Sequence, residues 1–202
     1  HDFTECTEEA FRTAIAAHMK HGATSFFPTL SSSPFSEIRK AVDICEKLMA
    51  EPDSPILGLH VEGPYLNRKM AGEQFANQVK EVDVAEYTSL LESTDCIKRW
   101  DASPELPGAL DFARYLKSKG IVGAVSHTEA EYDGIKEAYE AGFTHAAHFY
   151  NAMPGFHKRR EYKYEGTVES VYLTDGMTIE LIADGIHLPS TILKLAYKLK
   201  GV

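Results

Sequence analysis

The chain has 202 residues, of which 44% are hydrophobic and 25% charged, with a formal charge of −9. This is enough for one good hydrophobic core, but no apolar run approaches the roughly eighteen residues of a membrane span, and the acidic balance argues against general nucleic-acid binding, which needs a basic face to displace counterions. Cys6, Cys45 and Cys96 lie far apart without CxxC or Cys/His spacing, which excludes zinc-finger chemistry and fits reduced thiols.

The opening HDFTECTEEA is acidic and lacks a basic start followed by an apolar stretch, so no secretory signal is expected and the cytoplasm is the expected compartment. Thr7 predicts an N-cap for a helix carrying Phe11, Ile15 and Met19 at i, i+4 spacing and stopping at Gly22. ATSFFPTL then reads as a β run. Ser33 and Pro34 read as the N-cap and first residue of a helix whose face is Ile38, Ala41, Val42, Cys45, Leu48 and Met49. The run ILGLHVE follows, then a helix over Val84 to Leu91, the run IKRWDAS, a helix from about Pro107 to Lys119, and the run IVGAVSH. Thr128 and Glu131 have capping-box spacing and predict a helix ending at Gly142 before FTHAAHF. HKRREYK, with His157, Lys158, Arg159, Arg160 and Lys163, reads as a basic loop in an acidic protein. A helix near Thr167 to Leu173, the run TIELIAD and a helix from Pro189 to Gly201 complete the pattern.

These are six strand-then-helix units, and continuous apolar runs predict a parallel α/β sheet buried on both faces. A doubly wound sheet and a (β/α)8 barrel both satisfy the pattern. No GxGxxG or GxxxxGK[ST] loop follows a strand, which disfavours the nucleotide-binding open sheet. Glu62, Asp101, His127, His148 and Asp184 all fall at expected strand ends, and a barrel points its strand C-termini at one mouth, so the distribution favours the barrel.

Glu62 closes a buried strand, where an unpartnered carboxylate costs several kcal/mol. Together with His127 and His148 it offers two imidazoles and a carboxylate, a donor set suited to zinc or another borderline divalent ion with a position left for water. Structural histidines and an Arg or Lys partner for Glu62 remain the alternative. His187, in ADGIH, reads either as a substrate contact or as a loop cap.

The segments LHVEGPYLN, SHTEAEYDGIKEAYEAGFTHAAHFYNAMPGFHKR and IADGIHL, in this order, resemble the N-acetylglucosamine-6-phosphate deacetylases of the amidohydrolase superfamily, from GATSFFPT to the last helix. The resemblance implies a (β/α)8 barrel of the metal-dependent amidohydrolase type, present over residues 1–202 as about six βα units without the first and last strands or the flanking β-sandwich segments. It implies one divalent metal, zinc or ferrous iron, on Glu62, His127 and His148. Asn151 and Ala152 are implied to touch the sugar phosphate and His187 the substrate. Arg159 is implied to bind phosphate in a neighbouring subunit's site, hence a homodimer. Gln74 stands where many relatives carry a substrate-binding histidine. The implied reaction releases acetate from N-acetylglucosamine 6-phosphate, with an aspartate as acid/base. That aspartate belongs to the strand after Val202, so no catalytic acid/base residue is expected within the chain, and little activity of the chain alone. Alternatives are an amidohydrolase of cyclic amides and a non-catalytic sugar-phosphate-binding or scaffold protein.

Overall fold

A computed structural model describes residues 2–72 and 77–201. The elements in chain order are α1 (Glu8–Met19), β1 (Thr29–Ser31), α2 (Phe35–Met49), β2 (Leu59–Glu62), α3 (Val84–Leu91), β3 (Ile97–Ala102), α4 (Ala109–Ser118), β4 (Val122–Val125), α5 (Tyr132–Ala141), β5 (Phe143–Ala146), β6 (His157–Arg159), β7 (Tyr162–Tyr164), α6 (Thr167–Leu173), β8 (Thr178–Ile179) and α7 (Ser190–Lys200). Six strands form one parallel sheet in the order β1-β2-β3-β4-β5-β8.

That order follows the chain without reversal. A doubly wound sheet reverses at a switch point, so the topology separates the two architectures that the sequence pattern left open. Right-handed crossovers, the rule for parallel connections, then send successive helices to the same face. The register shows what that face contains. Leu30, Val61, Trp100 and Gly123 lie side by side across β1 to β4, and Trp100 packs edge-on against Phe112 of α4 with ring centroids 5.3 Å apart. Leu30, Leu59, Val61, Trp100, Phe112, Leu116, Ile135 and Phe143 belong to one buried apolar cluster.

The opposite face differs from the expected one. Ser31, Glu62, Asp101, Ala124, His145 and Thr178 form one row across the sheet, and Thr29, His60 and Arg99 lie in the row beneath. LHVE and RWDA therefore alternate: Leu59, Val61 and Trp100 turn toward the helices while His60, Glu62, Arg99 and Asp101 turn inward. The strands are buried on both sides, as expected, but the second side is polar.

Several boundaries move for local reasons. The Thr7 hydroxyl accepts the Ala10 N–H at 3.2 Å and caps α1, whereas Met19 stays half-exposed. Pro34 is the N-cap of α2, not its first residue. Thr128 does not cap α5, because its hydroxyl donates to Glu105 at 2.5 Å and accepts the Ala130 N–H at 2.9 Å; the helix starts after Glu131. The basic stretch is not a loop but an antiparallel hairpin, β6–β7, turning through Arg160 at φ +55°. The run TIELIAD is a strand only over Thr178–Ile179, and Asp184 stands in a turn beyond it. Before β2, Gly58 at φ +153° lets the strand pass β3: a Cβ there would lie 2.8 Å from the Cys96 carbonyl oxygen.

Candidate metal centre

Glu62 ends β2, and the two histidines lie one or two residues past the ends of their strands. His127 follows Val125 and Ser126 after β4, and His148 follows Ala146 and Ala147 after β5. Both histidines adopt left-handed backbone, at φ +45° and +30°, as do Tyr150 at +79° and Ala152 at +51°. Histidine tolerates this region better than most residues, yet such positions carry strain and gather at functional sites. The turns are tied down: Ser103 donates its hydroxyl to the carbonyls of Ser126 and His127 at 3.0 and 2.8 Å, and the Thr128 N–H donates to the Ala152 carbonyl at 3.1 Å.

Among the described residues, the group of Glu62, His127 and His148 brings three ligand atoms within 4.8 Å of one another. Glu62 Oε1 is 2.9 Å from His127 Nε2 and 3.3 Å from His148 Nε2, while its other oxygen accepts the Ser31 hydroxyl at 2.8 Å. The far side of each ring is decisive. His127 Nδ1 lies 3.0 Å from the Met70 carbonyl and His148 Nδ1 lies 3.1 Å from the Asn151 carbonyl. A carbonyl can only accept, so each Nδ1 carries a proton, and in the neutral ring each Nε2 presents a lone pair. Two imidazole lone pairs and a carboxylate oxygen thus face one another, and the buried His148 Nε2 has no hydrogen-bond partner. Such a set needs either a cation or protonated rings. Burial disfavours the charge on Glu62, but the close approach of the His127 and His148 rings and of the Ser31 hydroxyl outweighs it and holds the carboxyl well below the usual range. Burial likewise opposes the charge on His148, and Glu62 overcomes it, raising the imidazole.

Sequence reasoning missed the network beneath. Arg99 donates from Nε and Nη2 to the two oxygens of Asp101 at 2.9 and 3.1 Å, and from Nη1 to Glu180. Asp101 Oδ1 also lies 2.9 Å from His60 Nε2, an ionic approach without hydrogen-bond alignment; His60 Nδ1 is 2.9 Å from the Thr29 hydroxyl. Burial raises Asp101, but His60 and Arg99 prevail and keep it low. His145 is pushed down to about 4 by burial and by the Arg99 charge. The alternation in LHVE and RWDA was the available signal for this face.

The remaining residues implied by the resemblance are placed as follows. Asn151 closes the turn after His148, its side-chain amide donating to the His148 carbonyl at 3.1 Å, and Ala152 is its neighbour. Arg159 is on β6, 3.8 Å over the Tyr164 ring and paired with Glu131, so within this chain it does not reach the Glu62 cluster. His187 is exposed, with Nδ1 2.7 Å from Asp184 Oδ2. The Asp184 carboxyl is held down to about 2 by the N–H groups of His187 and Ile186 and by the imidazole. Gln74 lies outside the described residues.

A chain-ordered parallel sheet with histidines and a carboxylate beyond its strand C-termini has the architecture of an α/β protein whose chemistry sits at one end of the sheet. Known proteins make the relation specific. The chain is 29% identical over 99% of its length to an N-acetylglucosamine-6-phosphate deacetylase of Lysinibacillus sphaericus, covering 51% of that protein. It is 32% identical over 90% of its length to the one of Bacillus subtilis, covering 46%. The crystal structure of the Mycobacterium smegmatis N-acetyl-D-glucosamine-6-phosphate deacetylase superposes with a TM-score of 0.88 at 28% identity, over 98% of this chain and 51% of that one. No protein-family profile matches. The chain is thus similar over nearly its whole length to N-acetylglucosamine-6-phosphate deacetylases, and it spans about half the length of the curated relatives it matches.

Proposed function

We propose that the chain is the metal-binding part of a (β/α)8 amidohydrolase that removes the acetyl group from N-acetylglucosamine 6-phosphate, yielding glucosamine 6-phosphate and acetate. The observation that carries this reading is the pair of imidazoles whose Nδ1 protons are committed to the Met70 and Asn151 carbonyls, so that both Nε2 atoms converge on Glu62. The inner network agrees: Arg99 is taken up by Asp101 and Glu180, while Glu62, beside Asp101 in the sheet, meets His127, His148 and Ser31, so a divalent cation would offset its charge. Nitrogen and oxygen donors of this kind suit zinc, and ferrous iron as well.

Glu62, His127 and His148 hold the ion, and Ser31 and the Met70 and Asn151 carbonyls fix the orientation of those ligands. The cation supplies Lewis acidity to a bound carbonyl and acidity to a water. Asn151 and Ala152 line the sugar-phosphate position, and His187, oriented by Asp184, donates or accepts at the substrate. Arg159 binds phosphate across a homodimer interface, which accounts for its lying away from the cluster within its own chain. The acid/base aspartate is supplied from beyond residues 1–202, which form part of the barrel domain, and the enzyme works in the cytoplasm. Among the described residues no helix is long and apolar enough to cross a membrane.

Metal analysis of the chain after incubation with Zn²⁺ tests the proposal. About one ion per chain is expected, falling to background in Glu62→Ala and His148→Ala, with little acetate released from N-acetylglucosamine 6-phosphate. Binding of glucosamine 6-phosphate by a chain that takes up no metal would favour a sugar-phosphate-binding protein instead.

A further inference from the structure

Glu180 divides its carboxylate between two tasks. Oε2 receives Arg99, and Oε1 accepts the backbone N–H of His148 at 3.1 Å. Its backbone grips the same turn: the Glu180 N–H donates to the Ala146 carbonyl at 3.0 Å and its carbonyl accepts the Phe149 N–H at 2.7 Å. One residue thus contacts the segment 146–149 at three points, around the histidine whose φ of +30° is the most strained of the two. Arg99 comes from β3, three strands from β8 in the sheet order, and Ala124 is the small inward residue between Asp101 and His145 in the register. Arg99 is itself fixed by the two-point pairing to the fully buried Asp101, which sits beside Glu62 in the sheet. A planar guanidinium held on one carboxylate and aimed at another sets a direction as well as a distance.

We propose that Arg99 and Glu180 are a positioning pair, an internal brace that sets the His148 backbone so that its Nε2 reaches the cation site shared with Glu62 and His127. The inference rests on the metal reading above and assigns the affinity of that site in part to residues that do not touch the ion. A link that merely tied β3 to the segment after β8 would need neither the contact of Glu180 to His148 nor the fixed orientation of the fork.

The test uses the whole chain and Co²⁺, with affinity measured by chelator competition and ligand geometry by the visible spectrum. Glu180→Ala removes both contacts, and Glu180→Gln keeps an acceptor for the His148 N–H but loses the charge that holds Arg99. Arg99→Lys keeps the charge and loses the fork. Changes around ligands typically weaken metal binding about 10–100-fold; Glu180→Ala is expected within that range with an altered spectrum, and Glu180→Gln and Arg99→Lys in between. The exchange protection of the His148 amide, measured without metal, is expected to fall in Glu180→Ala and persist in Glu180→Gln. If wild type binds Co²⁺ and the folded variants match its affinity and spectrum, the brace is refuted even should they melt earlier. If wild type binds no Co²⁺, the metal reading falls and the brace with it.

Discussion

The two faces of the sheet solve burial in opposite ways. On the helix side, Leu30, Val61 and Trp100 meet Phe112 and their neighbours through contacts that are individually small and numerous, so the face is set by volume and shape. On the inner side, Arg99 meets Asp101 and Glu180, His60 approaches Asp101, and Glu62 approaches His127, through a few polar contacts that depend on direction as well as distance. Apolar packing degrades gradually as atoms are removed, whereas a charge network fails when one member loses its partner. The first face therefore tolerates gradual change in shape, while the second, with its charges held at fixed points, is the one that can carry chemistry.

The largest separation of the two should come from Trp100→Ala. A fully buried Trp packed on Phe112 and stacked on Tyr65 should cost about 3–5 kcal/mol on truncation, read as a lower urea midpoint, with metal binding lost only in proportion to unfolding. Asp101→Asn should come next, because it leaves the Arg99 guanidinium short of its buried counter-charge; breaking such a pair typically costs about 3–5 kcal/mol, and the partial exposure of Glu180, the other partner, puts the expectation at the lower end. Asp101→Asn should also weaken metal binding in the fraction that stays folded, which Trp100→Ala should not.

A smaller effect concerns acid. The folded-state value of His145 is depressed from 6.5 to about 4, so between these pH values the unfolded chain binds more protons and stability falls as pH falls. The stability difference between wild type and His145→Gln should therefore shift against wild type as metal-free protein is taken from pH 6.5 to 4. A constant difference across that window would show that His145 titrates normally. The smallest effect is expected at the surface: Arg114→Ala removes the exposed pair with Asp111 and should leave both the urea midpoint and metal content unchanged.

Much of the helix face was legible in the sequence. The helices Val84–Leu91 and Thr167–Leu173 lie where the sequence reading puts them, and Thr7 caps where it should. Tertiary partners decided the rest. Thr128 looks like a cap only until Glu105 takes its hydroxyl. TIELIAD looks like a long strand only until Glu180 turns to Arg99 and His148. The polar face is obscured because LHVE and RWDA read as apolar runs, although their alternation is plain once the register pairs His60 with Arg99 and Glu62 with Asp101. At the site, the residue types and the turns after each strand were enough to bring Glu62, His127 and His148 together. The Met70 and Asn151 carbonyls that commit the Nδ1 protons were not foreseeable, since backbone acceptors leave no trace in residue identity.

The left-handed turns at His127 and His148 also constrain how this protein can drift. In a lineage that no longer needed these imidazoles, selection for them would lapse at both positions while the demand for an unusual dihedral would persist. The favoured successors are glycine, asparagine and aspartate, and least of all a β-branched residue such as valine. Glu62, in extended backbone, would be replaced instead by threonine or valine, so a descendant that had lost the cluster should be recognisable by two different substitution spectra within three neighbouring positions of the fold.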